Sequence, residues 1–471
     1  MYQSSYLNRI VPSYIPTIFY FYLSVSSGSF IMSSFIVEGG TRLSGTIRVS
    51  GNKNEALPII AASLLSSGPV SLTNVPEIGD VRNMLEIASV LGAGISPISS
   101  GKVTIEAPRI GSSELPLQLS SAIRASILFA SSLLVRTGKA VITQPGGDMI
   151  GRRRMDTHFL VFKALGAELR VERKTQQTNF ILEAPKGLKG ADIYLDEASV
   201  TGTENALIAA AGAKGITIIG NAASEPHVQG LCKFLEKLGV KIEGIGSNVL
   251  KVHGTANFGS ADHEIGSDYI EAGSFIGLAA ATRSPLNITG VDLSVMRMIL
   301  FQFERIGVEV QTDAEKRSIF VPDKQPMKIR KDLGGAIPRV EDSPWPGFPT
   351  DLMSILLVTA TQCEGTCLIH EKMFESRLFF VDKLIGMGAQ IVLCDPHRAV
   401  IVGPSPLYGA TISSPDIRAG MALLIAACAA EGKSTIYNIE QIDRGYHHMD
   451  LRLASLGASI ERINERRKNF L

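Results

Sequence analysis

A unit repeated six times along the chain limits its architecture more than any other feature. An apolar residue, then a glycine, then a strand-like run recurs at Leu91-Gly92, Leu165-Gly166, Leu238-Gly239, Ile306-Gly307, Met387-Gly388 and Leu456-Gly457, with successive glycines 74, 73, 68, 81 and 69 residues apart. Internal periodicity of this kind marks a fold assembled from copies of one supersecondary unit. An amphipathic helical stretch precedes each glycine, as at 228–238 and 381–387, so the glycine reads as a helix cap that admits positive φ. Earlier in each copy lies a segment apolar almost all round: 56–65, 122–135, 205–213, 271–281, 352–360 and 417–430. A helix without a polar face has to be buried on every side. A short strand follows each one, at 70–73, 140–143, 216–219, 286–289, 366–370 and 434–437. The unit is therefore buried helix, strand, amphipathic helix, glycine, strand.

Three such units per domain place three buried helices inside a shell of sheets and outer helices, a two-domain inside-out α/β barrel. The chain of 471 residues is long enough for two such cores. The polar, glycine-rich stretch 254–267 separates the two groups of three. The predicted domains are 52–265 and 32–51 plus 266–471. Residues 1–31 stand apart, with five tyrosines, seven serines, Arg9 and no acid. Their apolar run 15–25 is too short to span a bilayer. They read as a disordered or artefactual extension, with organelle targeting as the second reading.

Charge excludes some functions. With 46 basic and 45 acidic residues the net charge is +1, which provides no global field for nucleic acid or an anionic membrane. Anions must be held by local clusters. Five scattered cysteines, mostly within apolar runs, read as reduced core thiols in a cytoplasmic setting. No pairing of Cys or His at metal-ligand spacing completes a site.

Several polar residues sit at the mouths of the apolar segments, where helix N-termini favour anions. Lys53 and Asn54 precede the first one; a lysine there opposes the helix dipole, a conflict that a bound phosphate resolves and a solvated lysine also tolerates. Arg124 lies inside the second segment and requires a partner or a cleft. The loop 144–156 carries three glycines, the acids Asp148 and Asp156, and consecutive arginines Arg152, Arg153 and Arg154. It reads either as a charged surface hairpin or as a lid bringing an acid and phosphate-gripping arginines over a cleft. Asp351 ends a rigid Trp345-Pro-Gly-Phe-Pro-Thr-Asp run and reads as a helix N-cap or as a fixed general base. Arg377, Arg418 and Arg444 lie at corresponding repeat ends, each explicable singly as an ion-pair member.

Ser50-Gly-Asn-Lys-Asn, Pro145-Gly-Gly-Asp-Met-Ile-Gly-Arg-Arg, Phe348-Pro-Thr-Asp, Phe374-Glu-Ser-Arg and Ile442-Asp-Arg-Gly-Tyr occur in this order, and from about Phe35 onward the chain resembles the UDP-N-acetylglucosamine 1-carboxyvinyltransferase family. The resemblance implies enolpyruvyl transfer from phosphoenolpyruvate to the sugar 3-hydroxyl, the first committed step of peptidoglycan precursor synthesis, with no metal or organic cofactor. It implies Asp148, Asp351, Lys53 and Arg444 as catalytic residues. Phosphoenolpyruvate falls to Lys53, Asn54, Arg124, Arg153, Arg418 and Arg444. The nucleotide sugar falls to Arg124, Arg153, Arg154, Met155, Asp156, Thr157, Ser199, Val200, Thr201, Asp351 and Met373. Asp148 stands where the family usually has cysteine, Arg154 where proline is common, Glu197 where some members have lysine and His227 where glutamate is usual. An aspartate still donates a proton but is a poor nucleophile toward an epoxide, so an active, fosfomycin-resistant enzyme is expected. The alternatives are a 3-phosphoshikimate enolpyruvyl transferase and a UDP-sugar-binding regulator without turnover.

Overall fold

The computed structural model of the protein describes residues 30–147, 150–151, 154–174 and 177–467. Asp148 and Arg153 lie outside the described residues, as does most of the extension; the first strand, Phe30–Glu38, begins two residues inside the segment read as extension. Among the described residues no helix is long and apolar enough to cross a membrane.

The six apolar segments form six central helices: Lys53–Ser63, Phe129–Thr137, Val200–Ala211, Tyr269–Ala281, Met353–Ala360 and Ile417–Ala429. Four begin earlier than, or are capped just outside, their apolar runs. The side chains of Asn52, Ser199, Asp268 and Asp416 accept backbone N–H groups of the first turn, so polar residues start helices whose bodies are apolar. Lys53 consequently lies inside the first turn rather than before it. The second segment is broken: a 3-10 turn, Arg124–Leu128, feeds Phe129–Thr137, and Arg124 stands at the mouth of the helix instead of within it. A similar 3-10 turn, Thr350–Leu352, carries Asp351, which is therefore not a helix cap.

Around the helices stand five four-stranded sheets and one three-stranded sheet among the described residues. This is the inside-out α/β arrangement: helices at the centre, sheets outside. The central helices approach closely where glycine allows it. A Cβ on Gly273 or Gly277 would meet Leu352 at 2.7 Å or Ile355 at 2.6 Å. Buried serines join the helices, Ser131 Oγ bonding Asn205 Oδ1 at 2.6 Å and Ser132 Oγ the Ala61 carbonyl at 2.6 Å. All six repeat glycines have φ between 91° and 107°, ending the outer helices and turning the chain into the next strand.

Two separate hydrophobic cores result, one drawn from residues 56–265 and the other from 35–49 and 269–456. The chain crosses between them twice. Strand Gly45–Arg48 lies parallel to Leu286–Thr289 in the second body, and Ala261–Glu264 lies parallel to Pro69–Thr73 in the first. The glycine-rich stretch 254–267 thus contains a strand of the first body. The crossings themselves are paired: Gly51 bridges Ser267, Asn52 N–H bonds the Gly266 carbonyl at 2.7 Å and Asp268 N–H the Ser50 carbonyl at 2.9 Å.

Candidate active site

Because both crossings deliver the chain into central helices, the N-termini of these helices face one cleft. It encloses a cavity of about 500 Å³ lined from both bodies. Lys53, Asn54, Arg124, Arg154, Ser199, Val200 and Thr201 line it from the first, and Asp351, Met373, Arg418 and Arg444 from the second. Glu197 and His227 line it too. Met155, Asp156 and Thr157 do not: Asp156 is exposed and paired with Arg154 at 3.1 Å, while Thr157 is buried and donates to Asp196 at 2.7 Å.

Two carboxylates organise the cations. Asp80, in the first turn of the outer helix Gly79–Val90, receives Lys53 Nζ at 2.7 Å and Arg444 Nε at 2.9 Å. Burial pushes its carboxyl up, but the charges and hydrogen bonds of Lys53 and Arg444 outweigh burial and hold it below its ordinary value. Asp351 receives Arg377 Nη2 at 2.8 Å on one oxygen and Arg418 at 3.0 Å on the other. Here too burial is overcome, by Arg418 first and then Arg377, and Asp351 is held well below the usual carboxylate range. Both arginines are buried. Arg377 Nε and Arg418 Nη1 have no acceptor among the described residues, so they retain donors for a further anion.

The opposite wall is acidic and aromatic. Glu204, in the helix Val200–Ala211, is pushed well above its ordinary value by burial and by Glu225. Burial also raises Glu225, although it accepts the Trp345 N–H at 3.4 Å across the cleft. His227 is buried, bonds Tyr269 through Nδ1 at 3.1 Å and leaves Nε2 without a partner among the described residues. Burial lowers its pKa to about 4, Asp351 opposing, so His227 is neutral near pH 7. Of these residues Asp80, Glu204, Glu225, Tyr269 and Trp345 were not singled out from the sequence. Asp80 looks there like an acid placed to suit a helix dipole, which accounts for it locally and hides its partner 364 residues away.

Four of the five cysteines, Cys232, Cys363, Cys367 and Cys428, are buried and pushed up to about 12 mainly by that burial; Cys394 is exposed. None lines the cleft. Among the described residues no group of His, Cys, Asp and Glu can hold a metal. The arrangement concentrates positive charge in the cleft, with two ionised carboxylates, Asp80 and Asp351, in its midst. That suits a small, multiply charged anion reacting beside a base.

Residues 37–452 match the model of the EPSP synthase (3-phosphoshikimate 1-carboxyvinyltransferase) family. Proteins named UDP-N-acetylglucosamine 1-carboxyvinyltransferase are similar along nearly their whole length. That of Treponema denticola is 55% identical, covering 91% of this chain and 99% of the relative, and that of Borreliella burgdorferi is 49% identical, covering 92% and 99%. Among solved structures, the enolpyruvyl transferase NikO of Streptomyces tendae superposes with a TM-score of 0.80 at 25% identity, covering 92% of this chain and all of that one. EPSP synthase of Acinetobacter baumannii superposes with a TM-score of 0.70 at 18% identity, covering 92% and 100%, a likeness of fold.

Proposed function

Since the chain belongs to the UDP-N-acetylglucosamine 1-carboxyvinyltransferases within the EPSP synthase family, we propose that it transfers the enolpyruvyl group of phosphoenolpyruvate to the 3-hydroxyl of UDP-N-acetylglucosamine and releases phosphate. The observation that carries this reading is the cleft in which Lys53, Arg377, Arg418 and Arg444 converge around two ionised carboxylates. Lys53, Asn54, Arg124, Arg153, Arg418 and Arg444 bind phosphoenolpyruvate. Arg124, Arg153, Arg154, Ser199, Val200, Thr201, Asp351 and Met373 bind the nucleotide sugar, while Met155, Asp156 and Thr157, which do not line the cleft, support the segment that carries Arg154. The body 52–265 and the body formed by 32–51 with 266–471 act as two domains that close on these ligands.

In the addition step the sugar hydroxyl loses its proton to Asp351 and its oxygen bonds to C2 of phosphoenolpyruvate, while Asp148 protonates C3. In the elimination step C3 returns a proton to the Asp148 carboxylate, the double bond re-forms and the C2–O bond breaks, its electron pair leaving with phosphate, which takes up the proton held by Asp351. An aspartate held by two arginines is a weak base. When the phosphate and carboxylate of phosphoenolpyruvate take up the donors of Arg418 and its neighbours, the electrostatic hold on Asp351 weakens and its basicity rises at the moment it is required. The product is a peptidoglycan precursor, and the reaction is cytoplasmic. Aspartate at 148 attacks an epoxide far more slowly than a thiolate does, which makes the enzyme fosfomycin-resistant.

Phosphate release from phosphoenolpyruvate, measured separately with UDP-N-acetylglucosamine and with shikimate 3-phosphate, tests the assignment. Turnover with the nucleotide sugar alone supports it; turnover with shikimate 3-phosphate alone overturns it, and tight nucleotide-sugar binding without turnover identifies a regulator. Fosfomycin is expected to inactivate Asp148→Cys and to spare the wild type. Equal inactivation of both refutes the proposed resistance.

A further inference from the structure

Behind the wall that carries Asp351 lies a second pair of acids, which the reaction above does not use. Asp342 follows the strand Arg339–Glu341 and Glu371 follows the strand Gly365–His370. Both are fully buried and neither lines the cleft. Glu371 gathers the wall around itself: its two carboxyl oxygens take the Thr350 hydroxyl at 2.9 and 3.0 Å, and Oε1 accepts the N–H groups of Met373 at 3.3 Å and Phe374 at 3.2 Å. Asp342 Oδ1 accepts the Lys372 N–H at 2.5 Å. Thr350 directly precedes Asp351, and Met373 and Phe374 form part of the cleft. Three successive backbone N–H groups and the neighbour of the proposed base therefore depend on two acids.

Glu341 pairs with His370 in parallel register, so Asp342 and Glu371 leave adjacent strands side by side, and the Lys372 N–H on Asp342 comes from the residue next to Glu371. Two ionised carboxylates have no proton to donate, and a buried pair of like charges repel strongly. Asp342 Oδ2, buried, has no donor among the described residues. A single proton supplies that donor and removes one of the two charges. The neighbouring charges do not supply an alternative. Lys372 directs its ammonium to Glu341 at 3.2 Å, and His397 places Nδ1 on the Glu371 backbone carbonyl at 2.7 Å. Arg377, the cation whose charge reaches Glu371, makes its ion pair with Asp351 and also feels Asp416.

We propose that Glu371 and Asp342 share one proton and act as a positioning pair, holding Thr350 and the backbone of Met373 and Phe374, and through them Asp351, in the working orientation. The proposal rests on the reading of Asp351 as the base. Burial first, then the hydrogen bond and charge of Asp342, push Glu371 up to about 9, with Arg377 opposing. The pair keeps its proton at neutral pH and loses it on the alkaline side. Because folding raises this pKa, the associated stability is fully present below the ordinary glutamate value of about 4.5 and declines as pH rises toward about 9.

Glu371→Gln and Asp342→Asn each install a permanent amide donor between the two side chains, replacing the shared proton without changing shape. In the wild type, the infrared carbonyl band of a buried protonated carboxyl is expected at neutral pH and is lost as pH passes about 9, while kcat falls about tenfold per pH unit above it. Both variants lack this component, read as a wild-type-minus-variant difference band because buried Glu204, also pushed up by burial, contributes equally to all three proteins, and they hold kcat within about threefold over the same range. A wild type without the difference band, or variants that reproduce its alkaline fall, overturns the proposal. Infrared and thermal-midpoint measurements need no turnover. A protein inactive with both acceptors would thus cost the functional reading while the band still decides the shared proton.

Discussion

Asp80 and Asp351 are each held by two cations, yet they do different work. Asp80 holds Lys53 of its own body and Arg444 of the second, so one of its two ion pairs runs across the cleft. Asp351 is gripped by Arg377 and Arg418, both from its own body, and its ion pairs leave the other side of the cleft untouched. A carboxylate that bridges two bodies couples their approach; one clamped within a single body is oriented whether or not they close. The difference separates closure from chemistry, and substitutions at the two positions can tell them apart.

The largest effect is expected at Asp351. Asp351→Asn keeps the shape and removes the proposed base, and kcat for phosphate release is expected to fall about 10³-fold, with the nucleotide-sugar KM changing far less. An equal loss from Asp80→Asn would erase the distinction between the two acids. Asp80→Asn instead strands Lys53 and Arg444 opposite one another, and urea denaturation is expected to show a loss of about 3 kcal/mol. The contribution of Asp80 also has a pH signature. Its folded pKa is depressed, so the stability it provides is present above its ordinary value of 3.8 and lost as pH falls below that. In Asp80→Asn this acid limb should flatten.

The smallest effect belongs to His227. It is buried neutral with its pKa lowered from 6.5 to about 4, so the unfolded chain takes up a proton first, and stability is lost as pH falls through that interval. His227→Gln should flatten the curve there while changing kcat less than about tenfold. A larger loss of kcat would move His227 into the chemistry.

The repeat could be read from the sequence because its glycines are dictated by backbone geometry, and each of the six has positive φ in the structure. Apolar helix bodies were legible for the same local reason. Their starts were not: Asn52, Ser199, Asp268 and Asp416 are polar residues just outside apolar runs, and only the folded chain shows which backbone N–H each one caps. In the site, Lys53 stood out because it opposes a helix dipole and Arg124 because it lies in an apolar segment, whereas Asp351, Arg418 and Arg444 each had an ordinary reading as a helix cap or an ion-pair member and gained weight only from the motifs around them. Asp80, Glu371 and Asp342 did not stand out, since each has an innocent local explanation beside a helix start or a strand end. Their partners come from other segments of the chain, where no local pattern points to them.

The sheet at the chain ends carries a consequence for synthesis. Strand Phe30–Glu38 lies between Lys433–Tyr437 and Ser459–Arg467, antiparallel to both. Of the strands among the described residues, the first to be synthesised therefore has to wait for two of the latest, Lys433–Tyr437 and Ser459–Arg467. At roughly 5–20 residues per second that wait is roughly 20–80 seconds, during which the body built from residues 56–265 can already assemble its own core. The two halves of the cleft are thus born at different times, and the reaction chamber comes into being only when the final strand closes the sheet that the first one opened.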